Sequence, residues 1–222
     1  MIFKSFLSQE MLGLDVQPTG IYAVRLKRFG RRFQVNAYYH KDLPGTIFRE
    51  GVIQDWQLLQ HSLHEFVQEY QLVDLPVIMG LAEHLVMRQE LQLSKNLNPD
   101  DIQKEVRDVF KSQTLLVDYL VAIEREWLNV TAVAVQKAYV EQLVAVMSAV
   151  KLQVKIIDLD NAALERMMLK LHLPKAVSID NIAISARDLF AYFYFACDWQ
   201  SLTNVAPYLR AFGFALRELP AW

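Results

Sequence analysis

The sequence predicts a mixed α/β fold with one main lobe and one small inserted unit. Three observations predict it. Three short alternating segments precede the first helical stretch, and a further strand follows that helix at once. A strand-helix-strand-strand group then interrupts the middle of the chain, after which helix and strand alternate again. At 222 residues, 53% of them apolar, the chain can bury a sizeable core.

The first strand is the apolar run Met11 to Val16, with Asp15 near its end. Gln17-Pro18-Thr19-Gly20 reads as a turn. Tyr22, Val24 and Leu26 alternate with Ala23, Arg25 and Lys27, and Phe33, Val35, Ala37 and Tyr39 repeat the period. Two hairpins therefore open the chain. Asp55 is placed to cap a helix whose Trp56, Leu59, Leu63, Phe66, Val67 and Tyr70 share one face. Leu75 to Leu81 is the next strand. The order β-β-β-α-β is compatible with the opening of a ribonuclease-H-like lobe of the actin type, though not unique to it.

In the middle, Leu85 to Leu93 alternates, and Asn98-Pro99-Asp100-Asp101 starts a helix with a cap, a proline and two carboxylates on the helix dipole. Ile102, Val106, Val109 and Phe110 form its apolar stripe, and Val117 to Ile123 pairs with Trp127 to Val135 as a hairpin. A helix from Gln136 carries Val140, Leu143, Val144, Met147 and Val150. Leu152 to Ile157 is a strand, and Asp158 to Asp160 read as the cap of a helix with Leu164, Met167, Met168 and Leu171. Ala176 to Ile184 can form one more strand, and 202–219 reads as helical despite Pro207. Residues 10–82 with 136–222 are expected to make the lobe, and 83–135 the insert.

Composition excludes several classes. A net charge of −2 gives no global attraction to nucleic acid or anionic lipid, and the cluster Arg25-Lys27-Arg28 with Arg31 and Arg32 reads as a solvated hairpin end. The single cysteine, Cys197, sits in an aromatic stretch as a buried thiol and cannot form an intramolecular disulfide. The first residues lack a signal-peptide core, and no segment approaches the length of a membrane span. His61 and His64 fall on the solvent side of their helix with no further metal ligand nearby, and His40, His84 and His172 are isolated. No complete phosphate loop, nucleophile elbow or Cys-x-x-Cys occurs.

Leu12-Gly13-Leu14-Asp15-Val16 with Tyr22-Ala23-Val24-Arg25-Leu26 resembles the opening hairpin of PilM, the actin-like protein of type IV pilus assembly. Arg32 to Val35, Gly51 to Asp55, Leu91-Gln92-Leu93 with Leu97 to Ile102, Val130 to Lys137, and Leu152 to Asp158 with Ala162 to Arg166 continue the resemblance in order. Gly213-Phe214-Ala215-Leu216-Arg217 is similar to the motif that closes the family's terminal helix. Between Ser178 and Leu202 too few residues remain for the family's second lobe, as in the shortened DNA-uptake proteins of the HofM and ComA type.

The resemblance implies an actin-like lobe whose insert is an interaction subdomain. It implies that Asp15 would help hold magnesium through water, and that the turn with Thr19 and Gly20 would cradle the phosphate of ATP. Pro18 lacks an N–H, Tyr22 stands where a basic residue is expected, and the opposing phosphate loop is missing, so the cofactor site is expected to be vestigial. The expected role is a non-catalytic cytoplasmic scaffold, held at the inner membrane by the N-terminal peptide of a PilN-like protein, through groove docking or strand addition near Arg88 and Glu90. An ATPase or nucleotide-gated switch, and a cytoplasmic part of a type II secretion platform, are the alternatives.

Overall fold

The computed structural model describes residues 10–29, 32–173, 189, 191–198, 202 and 204–217. Packing divides the chain into two compact units, one of residues up to Ala82 together with those from Val146, the other Glu83–Ala145.

In the first unit, strands β1 (Glu10–Gln17), β2 (Gly20–Phe29) and β3 (Arg32–Asp42) form a continuous antiparallel meander. A two-stranded ribbon, β4 (Phe48–Arg49) and β5 (Val52–Ile53), leads to helix α1 (Trp56–Tyr70). Asp55 caps α1 by accepting a hydrogen bond from the Leu58 N–H at 2.8 Å, and Leu59, Leu63, Phe66 and Val67 are buried. Strand β6 (Pro76–Leu81) then runs parallel to β1 on the side away from β2, so α1 carries the chain from β3 across to the other edge of the meander without changing strand direction.

The chain leaves this unit through the insert and re-enters along helix α3 (Lys137–Ala149) to strand β10 (Gln153–Leu159), parallel to β6. Helix α4 (Asp160–Lys170), strand β11 (Phe193–Phe195) and a short helix α5 (Leu209–Ala215) complete the unit. The sheet order is β10-β6-β1-β2-β3-β11, and its first five strands have the directions of a ribonuclease-H-like lobe.

Met11 to Asp15 are all buried because both faces of β1 are covered. On one face, Tyr39 meets Phe66 and Tyr70 of α1. On the other, Tyr22, Val24, Leu26 and Val35 join Met167 and Leu171 of α4 and Leu209, Phe212 and Ala215 of α5 in the main core.

The second unit is a three-stranded antiparallel sheet ordered β7 (Val86–Ser94), β9 (Trp127–Gln136), β8 (Leu115–Ile123), with helix α2 (Pro99–Phe110) on one face. Asn98 caps α2 through the Asp101 N–H at 2.9 Å, and Ile102 and Val106 bury against Leu128, Val130 and Ala132.

Several readings change. Asp158 and Asp160 do not cap α4: residue Leu159 occupies the cap and makes no side-chain bond to the helix start. Val144 is exposed, and Val146 takes the buried place on α3. The expected tail helix is shorter, a 3-10 turn over Ala206–Tyr208 that accommodates Pro207, then α5. β11 was not expected at all; it adds in parallel beside β3, pairing Phe193 with Phe33. The proposed strand at 176–184 lies outside the described residues.

Candidate functional site

Parallel strands deliver their carboxyl ends to one rim of the sheet, where ligand sites of open α/β folds are usually built. Three carboxylates collect there: Asp15 on β1, Asp158 on β10, and Asp160 at the first position of α4. Asp15 and Asp158 are buried, which would be costly without compensation.

Arginines supply that compensation. The Arg210 guanidinium, on α5, donates from Nε to Asp15 Oδ2 at 2.9 Å and lies 3.4 Å from Asp160 Oδ2 through Nη1. Gln17 Nε2 donates to the same Asp15 oxygen at 2.6 Å. Arg166 of α4 donates to Asp158 Oδ2 at 2.8 Å and to the Gly213 carbonyl at 2.6 Å, and Arg217 pairs with the other Asp158 oxygen. Three negative and three positive groups therefore close on one another.

Glycines let α5 come this close. A Cβ on Gly13 would stand 1.9 Å from the Ala211 carbonyl oxygen and 2.7 Å from the Ala215 nitrogen. One on Gly213 would lie 1.9 Å from the Ala163 carbonyl oxygen. Gly80, beside Asp158 in the neighbouring strand pair, faces the Phe214 ring and Asp160. The helix therefore lies directly on backbone at the rim.

Asp15 remains hard to ionise despite its partner. Burial, the larger effect, raises its pKa to about 6; Arg210 pulls the other way and Asp160 adds to the rise. Because the folded value lies above the ordinary 3.8, the folded state holds this proton more tightly than the unfolded chain does. The group's contribution to stability is thus full near pH 4 and falls as pH rises towards 6. Asp15→Asn should remove that fall, so urea midpoints of wild type and variant, compared at pH 4 and pH 7, should differ most in favour of wild type at the acid end.

The other expected site residues are dispersed. Thr19 is exposed in the turn, while Gly20 is buried, its open side closed by His40 Nε2 and the Lys41 carbonyl. Tyr22 stacks on His40 with centroids 4.6 Å apart and meets Tyr208 edge-on. A magnesium-held phosphate does not suit this end of the lobe: Asp15 faces a guanidinium, and the backbone around Gly13 is covered by α5. In the second unit, Arg88 pairs with Glu83 at 3.0 Å, and Glu90 accepts from Thr131 Oγ1 at 2.8 Å, both on the sheet face opposite α2. His61 bonds Glu65 on the exposed side of α1, and among the described residues no cluster of three or more metal-ligating side chains occurs. Cys197 is half-buried beside the main core, and burial pushes its thiol pKa up.

Sequence reading missed the arginines. Arg166 and Arg217 fall within stretches that carry the family resemblance, but no local pattern gives them, or Arg210, a carboxylate partner; the small-residue spacing Ala211, Gly213, Ala215 is the signal that could have pointed to a close helix contact.

The family model for the type IV pilus assembly protein PilM matches residues 13–187. The chain belongs to the PilM family. Among solved structures, a PilM–PilN type IV pilus biogenesis complex resembles this PilM-family chain with TM-score 0.62 at 17% identity, over 72% of this chain and 51% of that one. The cytoplasmic domain of EpsL, an inner membrane component of the type II secretion system of Vibrio cholerae, aligns at TM-score 0.48 and 15% identity, over 69% and 58% of the two chains. A protein of actin-like ATPase fold and unknown function from Bacteroides thetaiotaomicron aligns at 0.40 and 11%, over 78% and 60%. The first likeness establishes the fold, and the chain spans about half the length of that PilM relative. Among the described residues no helix is long and apolar enough to cross a membrane.

Proposed function

We propose that this PilM-family chain is a non-catalytic cytoplasmic scaffold of a type IV pilus or DNA-uptake machine, held at the inner membrane by the N-terminal peptide of a PilN-like protein. One observation carries the non-catalytic half: the Arg210 guanidinium occupies Asp15, the carboxylate to which the family resemblance assigns magnesium. Catalysis of phosphoryl transfer needs positive charge aimed at the phosphate from several sides, and here the positive charge is spent inside the protein on buried carboxylates.

The partner half is supported by family membership and by the fold shared with the PilM of a PilM–PilN complex. Among the described residues β7 pairs only with β9, so its other edge offers N–H and C=O groups for an added strand. Arg88 and Glu90 flank such a strand on this reading and would select its charge pattern.

Calorimetry separates the parts. A peptide from the N-terminus of a PilN-like protein should bind saturably, and Arg88→Glu with Glu90→Lys should weaken it about tenfold or more, the scale of misplaced charges at an interface. Millimolar ATP with magnesium should give no binding heat. Tight magnesium-dependent ATP binding would overturn the non-catalytic reading, and no binding of the peptide would overturn the partner.

A further inference from the structure

The insert sheet β7-β9-β8 ends on two unlike edges. β7 exposes mainly polar side chains, Arg88, Gln89, Glu90 and Gln92. β8 is apolar, with Asp118 its one charge. Leu120 is 75% exposed and Ile123 78%, and Leu116, Val121 and Ala122 are exposed beside them.

Among the described residues β8 pairs with β9 alone, in an unbroken register. The Tyr119 N–H donates to the neighbouring Asp118 Oδ1 at 2.8 Å, so it points to the outer edge. By the alternation of an antiparallel ladder, Leu115, Val117, Val121 and Ile123 turn their N–H and C=O groups the same way. Edge strands are ordinarily blunted by lysine, proline or a bulge, which keep a second chain from pairing there. β8 has none of these. A lipid surface is the poorer occupant, because it would have to desolvate Asp118 in the middle of the exposed row.

We propose that β8 is a self-association edge, and that its partner is β8 of a second copy of this chain. The strand's own pattern selects that occupant. An antiparallel pair about a two-fold axis normal to the sheet keeps each face on its own side. Centred on Tyr119, all nine residues of β8 pair, and outward N–H and C=O groups meet their like. Val117 then meets Val121, and Leu115 meets Ile123, on the α2 side. On the open side Leu116 meets Ala122, and Leu120 meets Asp118. Moving the centre one residue either way leaves two residues at one end unpaired. Moving it to Asp118 also sets that carboxylate against its own copy, and like charges directly opposite are destabilising. The product is one six-stranded antiparallel sheet, β7-β9-β8-β8-β9-β7, whose outer β7 edges stay free for the strand addition proposed above.

Sedimentation velocity on the full chain, from micromolar to sub-millimolar concentration, tests this. The expected result is a reversible monomer–dimer equilibrium with a dissociation constant on the order of tens of micromolar, the strength of a small interface. Leu120→Asp should weaken it about tenfold or more, because two carboxylates then face each other twice in the dimer. Adding Asp118→Lys to that change should restore it, since opposite charges then stand across the two-fold axis. Ile123→Ser should weaken it about tenfold, its loss being counted once in each copy. Leu120 and Ile123 are exposed in the single chain, so urea midpoints at low concentration should stay close to wild type and exclude a folding artefact. A chain monomeric throughout the range, a dimer indifferent to Leu120→Asp, or a failed rescue overturns the proposal. So does flotation of a monomeric chain with phosphatidylcholine vesicles, or loss of PilN-like peptide binding in Leu120→Asp, either of which would give this edge to another occupant.

Discussion

Gly13→Ala is expected to cost about 3 kcal/mol of stability or more, although it adds one methyl group. The new Cβ would meet the Ala211 carbonyl oxygen at 1.9 Å and the Ala215 nitrogen at 2.7 Å. Both are backbone atoms of α5, so no side chain can rotate away; the helix itself must lift. Lifting α5 draws Phe212 and Phe214 out of fully buried places and pulls Arg210 from Asp15. Since a domain holds only about 5–15 kcal/mol in total, the variant should show a large drop in urea midpoint and little folded protein on expression. Gly45→Ala is the matched control, because a Cβ there would meet nothing within 4 Å. A midpoint for Gly13→Ala close to that control would show that α5 does not sit on β1 this closely.

Arg210→Ala is the second large effect, and it depends on pH. Asp15 already resists ionisation through burial, and its one direct cation would be gone. Breaking a buried pair by removing one partner costs about 3 kcal/mol at neutral pH. Without the guanidinium the carboxyl's pKa rises further above about 6, so the variant's penalty grows as pH rises from 5 to 7.5 and shrinks where Asp15 takes up a proton. Arg210→Met combined with Asp15→Asn should recover most of the loss, because no lone buried charge then remains. Chemical denaturation at pH 5 and 7.5 reads both effects. A penalty that is the same at both values would mean that Asp15 is not the group left exposed to the change.

The order of elements was legible in the sequence wherever local rules decided it. Asp55 and Asn98 were recognised as caps. Of the alternating row Leu85–Leu93 it is Leu91 and Leu93 that turn to α2, while Met87 is exposed and Leu85 lies in a 3-10 turn. Ala23, read as outward, is buried because both sheet faces are covered. What was lost is non-local. The three residues of β11 gain their strand character from β3, about 160 positions earlier, and an aromatic run alone cannot announce such a pairing. Asp15 was noticed as a strand-end carboxylate, yet its partner lies 195 residues away. Asp158 and Asp160 looked like caps because capping is the commonest local use of an aspartate before a helix. The sheet rim gave them charged partners instead, and Leu159 took the cap without a side-chain bond.

The seat of α5 on β1 also bears on how the chain is made. During synthesis the hairpin carrying Gly13 emerges long before the segment that covers it, Leu209–Ala215, which lies far downstream in the chain. At ordinary translation speeds that interval is roughly 10–40 s, long against the microseconds in which a hairpin forms. Through it, the glycine-lined face of the nascent sheet has no cover of its own. Strands β1 and β2 thus call for a chaperone's protection or for rapid synthesis through α5, and ribosomes stalled before Leu209 should accumulate an aggregation-prone product.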